Sequence, residues 1–487
     1  MQQQIQRSFP SVRATVWRLP AALAGALLVA GCSHTSNFEG QNTPVAVPLQ
    51  WAGQSQSAEG IAPAQDISRW WQAFGDMQMT ALVEQALQAN ASVQSAQAAL
   101  RQARAQLAGS QASLLPNVGA SLGSSRTYRE SSGSSSNFSA AMDASWEPDF
   151  WGTQSNALKA SQANTEAAIA ALEAAHVALA AEVVQNYIEL RNLQNRLRIA
   201  QENLAIQQEN QQITQWRVQA GLATSLDAEQ ARQSTAQTAA QLPALQASIT
   251  QSMHAMAILT GQVPTALVDA LQMAKPVPAA PETLVLALPA DTLRQRPDVR
   301  AQEYKVAAAV ANLSAQERAN FPSLRLSGSL GVSAATLAAL GTSAGTLASS
   351  IAASLSQTLF DGGANTARVQ ERQAAVELAR ISYRTSVLAA LQEVEDALAQ
   401  LQGDQARLAL LQVAEEAARN AQLMANQRYS SGLVDFQVVL DTQRTLLSAQ
   451  DSLASAQAAI STDYVRLYKA LGGGWTPLGL DGQPSMP

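Results

Sequence analysis

The chain has 487 residues, one cysteine, and 31 Lys+Arg against 37 Asp+Glu, a net charge of −6. It shows no basic patch, which argues against a nucleic-acid partner, and a single cysteine excludes an intrachain disulfide. Charged residues make up only 14% and aromatics 5%, with Ala, Leu, Gln and Ser dominant, a composition suited to closely packed helices.

Residues 1–31 read as an export signal. Arg7, Arg13 and Arg18 form a basic region, and Leu19 to Ala30 an apolar one too short to span a bilayer. The segment closes on Val29-Ala30-Gly31-Cys32, which resembles the lipobox of bacterial lipoproteins. That resemblance implies cleavage before Cys32 and lipidation of Cys32 by N-palmitoyl and S-diacylglycerol groups. The alternative is an ordinary signal peptide with an incidental cysteine, but the chain avoids cysteine everywhere else. Ser33 in place of an acidic residue implies, by the same resemblance, sorting to the outer membrane. Removal of 1–31 leaves 28 basic against 37 acidic residues, net −9.

Residues 32–76 form the expected N-terminal tether, rich in Ser, Gln, Gly and Pro as far as about Pro63. It ends in Trp70-Trp71-Gln72-Ala73-Phe74-Gly75-Asp76, with Asp76 placed to cap a helix. From there the chain repeats itself. A unit over 77–266 returns over 287–475, in the order helix, Ser/Gly-rich alternating region, very long Ala/Gln-rich helix, Gly turn and return helix. Val93 matches Val299, Pro116 matches Pro322, and Phe150-Trp151-Gly152 matches Phe360-Asp361-Gly362. Residues 476–487 remain as a tail.

The first helix runs from about Gln78 to Leu115, with a possible break at Asn90, and Pro116 stops it. Four alternating segments follow, two in each copy, at about 117–127, 137–147, 323–333 and 348–360. In the first, Val118, Ala120 and Leu122 oppose Asn117, Gly119, Ser121 and Gly123. In the last, Ile351, Ala353, Leu355 and Leu359 oppose Ala352, Ser354, Ser356 and Thr358. The turns between them are expected at Tyr128–Asn137 and Ala334–Thr346. About ten residues at period two suit a tilted strand in an outer membrane, apolar side to lipid and polar side to a wet lumen. Alternation alone fits a half-buried soluble sheet equally well. No run of about 18 strongly apolar residues is evident after the signal, so a transmembrane helix is not expected. Four strands cannot close a barrel, and open edges in lipid leave backbone groups unsatisfied. The expectation is therefore an oligomer with eight, twelve or sixteen strands.

The long helices are expected from about Gln154 to Ala220 and from Ala364 to Ser431, each reaching roughly 100 Å. Val387, Leu391, Val394, Leu398 and Leu401 step 4-3-4-3, and Leu190, Leu193, Leu197, Ala200 and Leu204 step 3-4-3-4, which is coiled-coil spacing. Gly221 and Gly432 end them. Return helices run from Thr224 to about Leu259 and from Asp435 to about Leu471, and Pro243 should bend the first. Several chains, each giving four strands above two long hairpins, would enclose a continuous pore.

These residues are similar to those of the TolC-type outer-membrane efflux proteins, within them the lipoprotein exit channels serving RND drug-efflux pumps. The matching stretches are the Trp70-Trp71 segment, Leu82…Ala86-Leu87…Asn90, Leu288-Pro289…Arg296-Pro297-Asp298-Val299-Arg300, Arg428-Tyr429-x-x-Gly432, Val439-Leu440-Asp441-x-Gln443-Arg444, and Ala470-Leu471-Gly472-Gly473-Gly474-Trp475. They cover essentially the whole chain beyond the signal, in order. The resemblance implies a mixed α and β membrane protein: a homotrimer whose four strands per chain complete a 12-stranded β-barrel, continued by a coiled-coil α-helical barrel in the periplasm. It implies a closed periplasmic tip ringed by acidic residues, of which Asp441 matches one. Val438 stands where some relatives carry a further Asp, and Asp435 is a substitute candidate. The first-copy counterpart of Asp441 is Gln230. Tyr429 and Arg428 are candidates for bonds holding the tip shut, and the Gly221 and Gly432 turns for docking a periplasmic adaptor. An ordinary solvated helix charge is the alternative for Asp441.

No cofactor or metal is expected. His34, His176 and His254 lack neighbours at metal-ligand spacing, and no nucleophile elbow, phosphate loop or acid pair marks an enzyme. The function implied is a passive exit channel for drugs or other small molecules, working with a periplasmic adaptor and an inner-membrane RND pump. The alternatives are a TolC-like channel for type I protein secretion and a non-conducting structural envelope lipoprotein.

Overall fold

The computed structural model describes residues 48, 50–52, 67–131, 133–280, 289–342 and 344–475. The signal, Cys32, most of the tether and the tail 476–487 lie outside them.

Asp76 caps helix α1 (Met77–Ala89): its carboxylate accepts from the Gln78 and Met79 amides at 2.8 and 3.0 Å. The break falls at Asn90, which caps α2 (Ala91–Ala112) through the Ser92 amide. The same Asn90 donates its Nδ2 to the Leu259 carbonyl at 2.8 Å, tying the start of the first repeat to its end. Gly261, at φ 72°, packs so closely there that a Cβ would stand 2.6 Å from the Ala89 carbonyl oxygen.

Four strands, β1 (Asn117–Arg129), β2 (Gly133–Trp146), β3 (Ser323–Ala334) and β4 (Thr346–Ser356), form one antiparallel sheet in the order β1-β2-β3-β4. The first hairpin is longer than its composition suggests. Ser134, Ser135 and Ser136 pair with Tyr128, Thr127 and Arg126, so the serine run expected as a loop is strand. β4 ends at Ser356, leaving Leu359 and Phe360 beyond the strand in the approach to the next helix. The second connection carries a 3-10 turn, Leu337–Gly341.

Helix α3 (Thr153–Gln219) and its repeat-two counterpart α9 (Ala364–Ser430) each have 67 residues, or roughly 100 Å. Their starts are built alike. Asp149 accepts from the amides of Gln154 and Ser155, and Asp361 from those of Gly363 and Asn365. The first return segment divides into α4 (Ser225–Ala239) and α5 (Gln241–Leu259), because Pro243 has no N–H for the Ala239 carbonyl. The short α6 (Val268–Leu271) and α7 (Pro289–Gln295) flank the junction between the repeats. α8 (Pro297–Arg318) then has the 22-residue length of α2, with Pro297 in its first turn and Asp298 at its positive end. α10 (Phe436–Ala470) is one continuous helix.

One stretch of α3 is long and apolar enough to cross a membrane, against expectation, yet most of it is buried inside the chain. Its apolar character comes from alanines packed against neighbouring helices, the pattern of a core helix.

The main core gathers Trp70, Trp71, Phe74, the α1 residues Met79 and Val83, the middle of α3, and Leu467 and Tyr468 of α10. Trp70 stacks on Tyr468 at 5.2 Å. Beneath it Arg191 is completely buried. Its guanidinium donates to Gln78 Oε1, Gln194 Oε1, the Tyr187 hydroxyl and the Met273 carbonyl at 2.7–3.1 Å, and Tyr187 donates on to Asp76. The Arg-Pro-Asp motif joins the two ends of repeat two. Arg296 donates to the Ala470 carbonyl at 2.9 Å and pairs with Asp298 and Glu393 at 2.7 Å each.

Candidate functional site

The register sorts the sheet residues onto two faces. Val118, Ala120 and Leu122 pair with Ala144, Met142 and Ala140, which pair in turn with Gly328, Leu330 and Val332 and then with Ile351, Ser349 and Leu347. Because side chains alternate along every strand, these share one face. The other carries Asn117, Ser121, Asp143, Ser145, Arg325, Ser327, Ser329, Ser350 and Ser354. On the apolar face Leu122 is 85% and Ile351 95% exposed within the single chain. An apolar face this bare in a soluble monomer would be an aggregation surface. β1 and β4 are both free sheet edges.

At the lower end of the helices, the two Gly turns are built alike. The Leu222 amide reaches back to the Arg217 carbonyl at 2.7 Å and the Leu433 amide to the Arg428 carbonyl at 2.9 Å, around Gly221 at φ 72° and Gly432 at φ 70°. This double closure needs a left-handed residue, which glycine alone adopts without strain. The flanking side chains differ. Thr224 and Asp227 form a reciprocal capping box in the first turn. Asp435 occupies the corresponding cap of α10, and its side chain makes no capping bond.

The hairpins meet through an aromatic cluster. The Arg217 guanidinium lies 4.5 Å from the centroid of the Tyr429 ring, and Tyr429 packs against Phe436 at 5.3 Å. Phe436, Val439 and Leu440 are buried with Ala231 of α4 and Ala425 of α9. Of the residues singled out in the sequence, Tyr429 is therefore inside the contact between hairpins. Asp441 stays on the surface of α10, where Gln437 donates to it at 2.9 Å and Arg444 lies 3.7 Å away. Val438, in place of a second acid, is partly exposed. Arg428 supplies the basic residue of the last turn of α9.

Sequence reasoning missed Arg217 as the partner of Tyr429. The equivalence of Arg217 with Arg428 in the duplicated turn was the available signal. It also missed a buried acidic contact between α9 and α10. Asp463 is almost fully buried beside Asp404, and burial, reinforced by that neighbour, pushes its carboxyl up to about 6 despite Arg466 at 3.1 Å. Among the described residues no group of three His, Cys, Asp or Glu side chains is placed to hold a metal ion.

The family model for outer membrane efflux proteins matches residues 82–262 and 288–473. The chain belongs to that family. The pyoverdine export outer membrane protein OpmQ of Pseudomonas aeruginosa is 32% identical over 93% of this chain and 96% of its own length. Among solved structures, the outer-membrane channel OprN is 35% identical, with a TM-score of 0.83 over 89% of this chain and 98% of that one. The CusC structure, described in terms of transmembrane channel formation, is 25% identical with a TM-score of 0.78 over 88% and 97%. As an outer-membrane efflux protein the chain has its two matched blocks in its two structural repeats.

Proposed function

We propose that this protein is the passive exit channel of a tripartite efflux system, a homotrimer that carries drugs or other small molecules across the outer membrane. It works with a periplasmic adaptor and an inner-membrane RND pump. One observation carries the reading: a four-stranded sheet, greasy on one face and hydroxylated on the other, with two unpaired edges. In lipid each unsatisfied edge N–H or C=O costs several kcal/mol, so copies of the chain must pair β1 with β4. Three copies give twelve strands, a closed wall without edges.

Cleavage after residue 31 and lipidation of Cys32 anchor each copy in the outer membrane. The Gly221 and Gly432 turns, at the far end of helices about 100 Å long, receive the adaptor. Arg217, Tyr429 and Phe436 hold the two hairpins of one protomer together, and Asp441, with Asp435 nearby, lines the tip. The chain supplies no energy of its own. Relatives named for pyoverdine export and cation efflux move chemically unlike cargo, which supports leaving substrate choice to the pump.

Purified protein in planar bilayers is expected to give discrete conductance steps, and to run as a heat-sensitive trimer on gels. Asp441→Ala is expected to raise the leak through the resting channel. A monodisperse, non-conducting monomer in detergent overturns the proposal.

A further inference from the structure

The lipid-facing side of the sheet carries one charge. Followed through the register, the outward row is Val118, Ala120, Leu122, Ser124, Arg126 and Tyr128 on β1, and its neighbours on β2 to β4 are apolar, Gly or Ser. Arg126, exposed on its strand, is the only Asp, Glu, Lys or Arg in that row on any of the four strands. The inward face carries the others, Arg129, Asp143 and Arg325.

A cation on the outer wall of a barrel costs about 2–4 kcal/mol at the bilayer midplane and about 0–1 near the interface. Arg126 sits two rungs beyond Leu122, and one rung beyond Phe138, the last aromatic of the apolar band on β2. At about 3.4 Å per residue and a tilt near 40°, that is roughly 5–10 Å above the band, at or just past the outer edge of the headgroup layer. The groups around it are hydroxyls: Ser124 below, Ser136 directly opposite, Ser134 and Tyr128 one rung above. A guanidinium matches a phosphate through paired N–H donors, and hydroxyls on either side match sugar oxygens.

We infer that Arg126, with Ser136 and Tyr128, forms a binding site on the outer wall of the barrel for the phosphate of a phosphorylated glycolipid of the outer leaflet. Because one more hydroxyl-bearing rung, Tyr128 and Ser134, stands beyond Arg126, the site fits a tall sugar-based headgroup better than that of a glycerophospholipid. The inference rests on the proposed lipid-facing orientation of the sheet.

The test is native mass spectrometry of the detergent-solubilised trimer mixed with lipid A, with dephosphorylated lipid A, or with phosphatidylglycerol. Wild-type protein is expected to retain phosphorylated lipid A at least tenfold better than either of the other lipids. Arg126→Glu should abolish that preference and Arg126→Lys keep part of it. Equal retention of the three lipids by wild type, or undiminished retention by Arg126→Glu, overturns the inference. Spin labels at Leu122→Cys and Ser121→Cys test the orientation separately. Oxygen access at 122 with nickel-chelate access at 121 upholds the lipid-facing side whatever the lipid A result, and the reverse pattern removes the basis of both.

Discussion

The two long helices have the same length and opposite surroundings. Across an offset of 211 residues, the distance from Thr153 to Ala364, Ala167, Ala170, Val177 and Ile199 of α3 correspond to Leu378, Ile381, Leu388 and Leu410 of α9. All four on α3 are buried, whereas their α9 counterparts, three of them larger and one of equal size, are exposed, Ile381 by 55% and Leu410 by 72%. Its own chain closes over the first helix at these positions. The other offers large apolar side chains to nothing in the same chain, which is what a wall shared between copies requires. Duplication supplied the scaffold, and divergence buried one copy and left on the other an apolar face for the proposed trimer to cover.

Removing what only the first copy has should give the largest effect. Arg191→Ala leaves the carbonyls and amides around the buried guanidinium unsatisfied and should cost on the order of 3–5 kcal/mol. Gln402→Ala, at the equivalent position of α9, should cost under about 1 kcal/mol. Urea denaturation of the two variants checks the contrast, and equal losses would show that the copies are energetically alike.

Charging the seam comes next. Ile381→Asp with Leu410→Asp should abolish the trimer in detergent while leaving the helical circular dichroism signal unchanged. The same exchange at Ala170 and Ile199 should prevent folding. Size-exclusion chromatography with light scattering separates the outcomes.

A smaller effect distinguishes the two copies by pH. Where α9 and α10 bring Asp404 and Asp463 together, the positions 211 residues earlier are Leu193 and Ser252. The Asp463 carboxyl titrates at about 6 in the folded protein, against 3.8 when unperturbed. The folded state thus holds its proton more tightly, and stability falls as pH rises from about 4 through 6. Asp463→Asn should stabilise the fold at pH 7.5 by up to about 3 kcal/mol, read as a higher melting temperature, and leave it unchanged at pH 4. A gain of equal size at both pH values would assign it to something other than that proton.

The smallest change is at the hairpin turns. Arg217→Ala removes a half-exposed cation–π contact worth about 0.5–1 kcal/mol, so thermal stability should barely move while single-channel recordings show more frequent opening. Tyr429→Ala also loses the packing on Phe436 and should open the channel in the same way at a larger cost in stability. Identical gating in both variants would remove the contact from the closed state.

Much of this architecture was written in local patterns. Asp76, Gly221 and Gly432 marked helix ends because capping chemistry is local, and period-two alternation marked strands because each side chain's face depends on its position alone. The serine run at 134–136 misled because its composition signals a loop, while its pairing with Arg126 to Tyr128 is settled by the neighbouring strand. Arg191 reads as a surface charge in a Gln- and Asn-rich stretch. Its burial depends on Gln78 and Met273, 113 and 82 residues away. The contact of Arg217 with Tyr429 crosses between repeats, and no spacing rule within either repeat encodes it.

The Gly474 amide donates to the Ile67 carbonyl at 2.9 Å, and Gly473 nests so tightly against Trp70 that a Cβ would stand 2.9 Å from that same carbonyl oxygen. The Trp70-Trp71 cluster is thus capped by residues about 400 positions later in the chain. At about 5–20 residues per second of synthesis, Trp70 and Trp71 wait roughly 20–80 s for their cover to be made. Through that interval the tryptophans have no native cover, and the aggregation risk of the emerging polypeptide is set by how late two glycines are made.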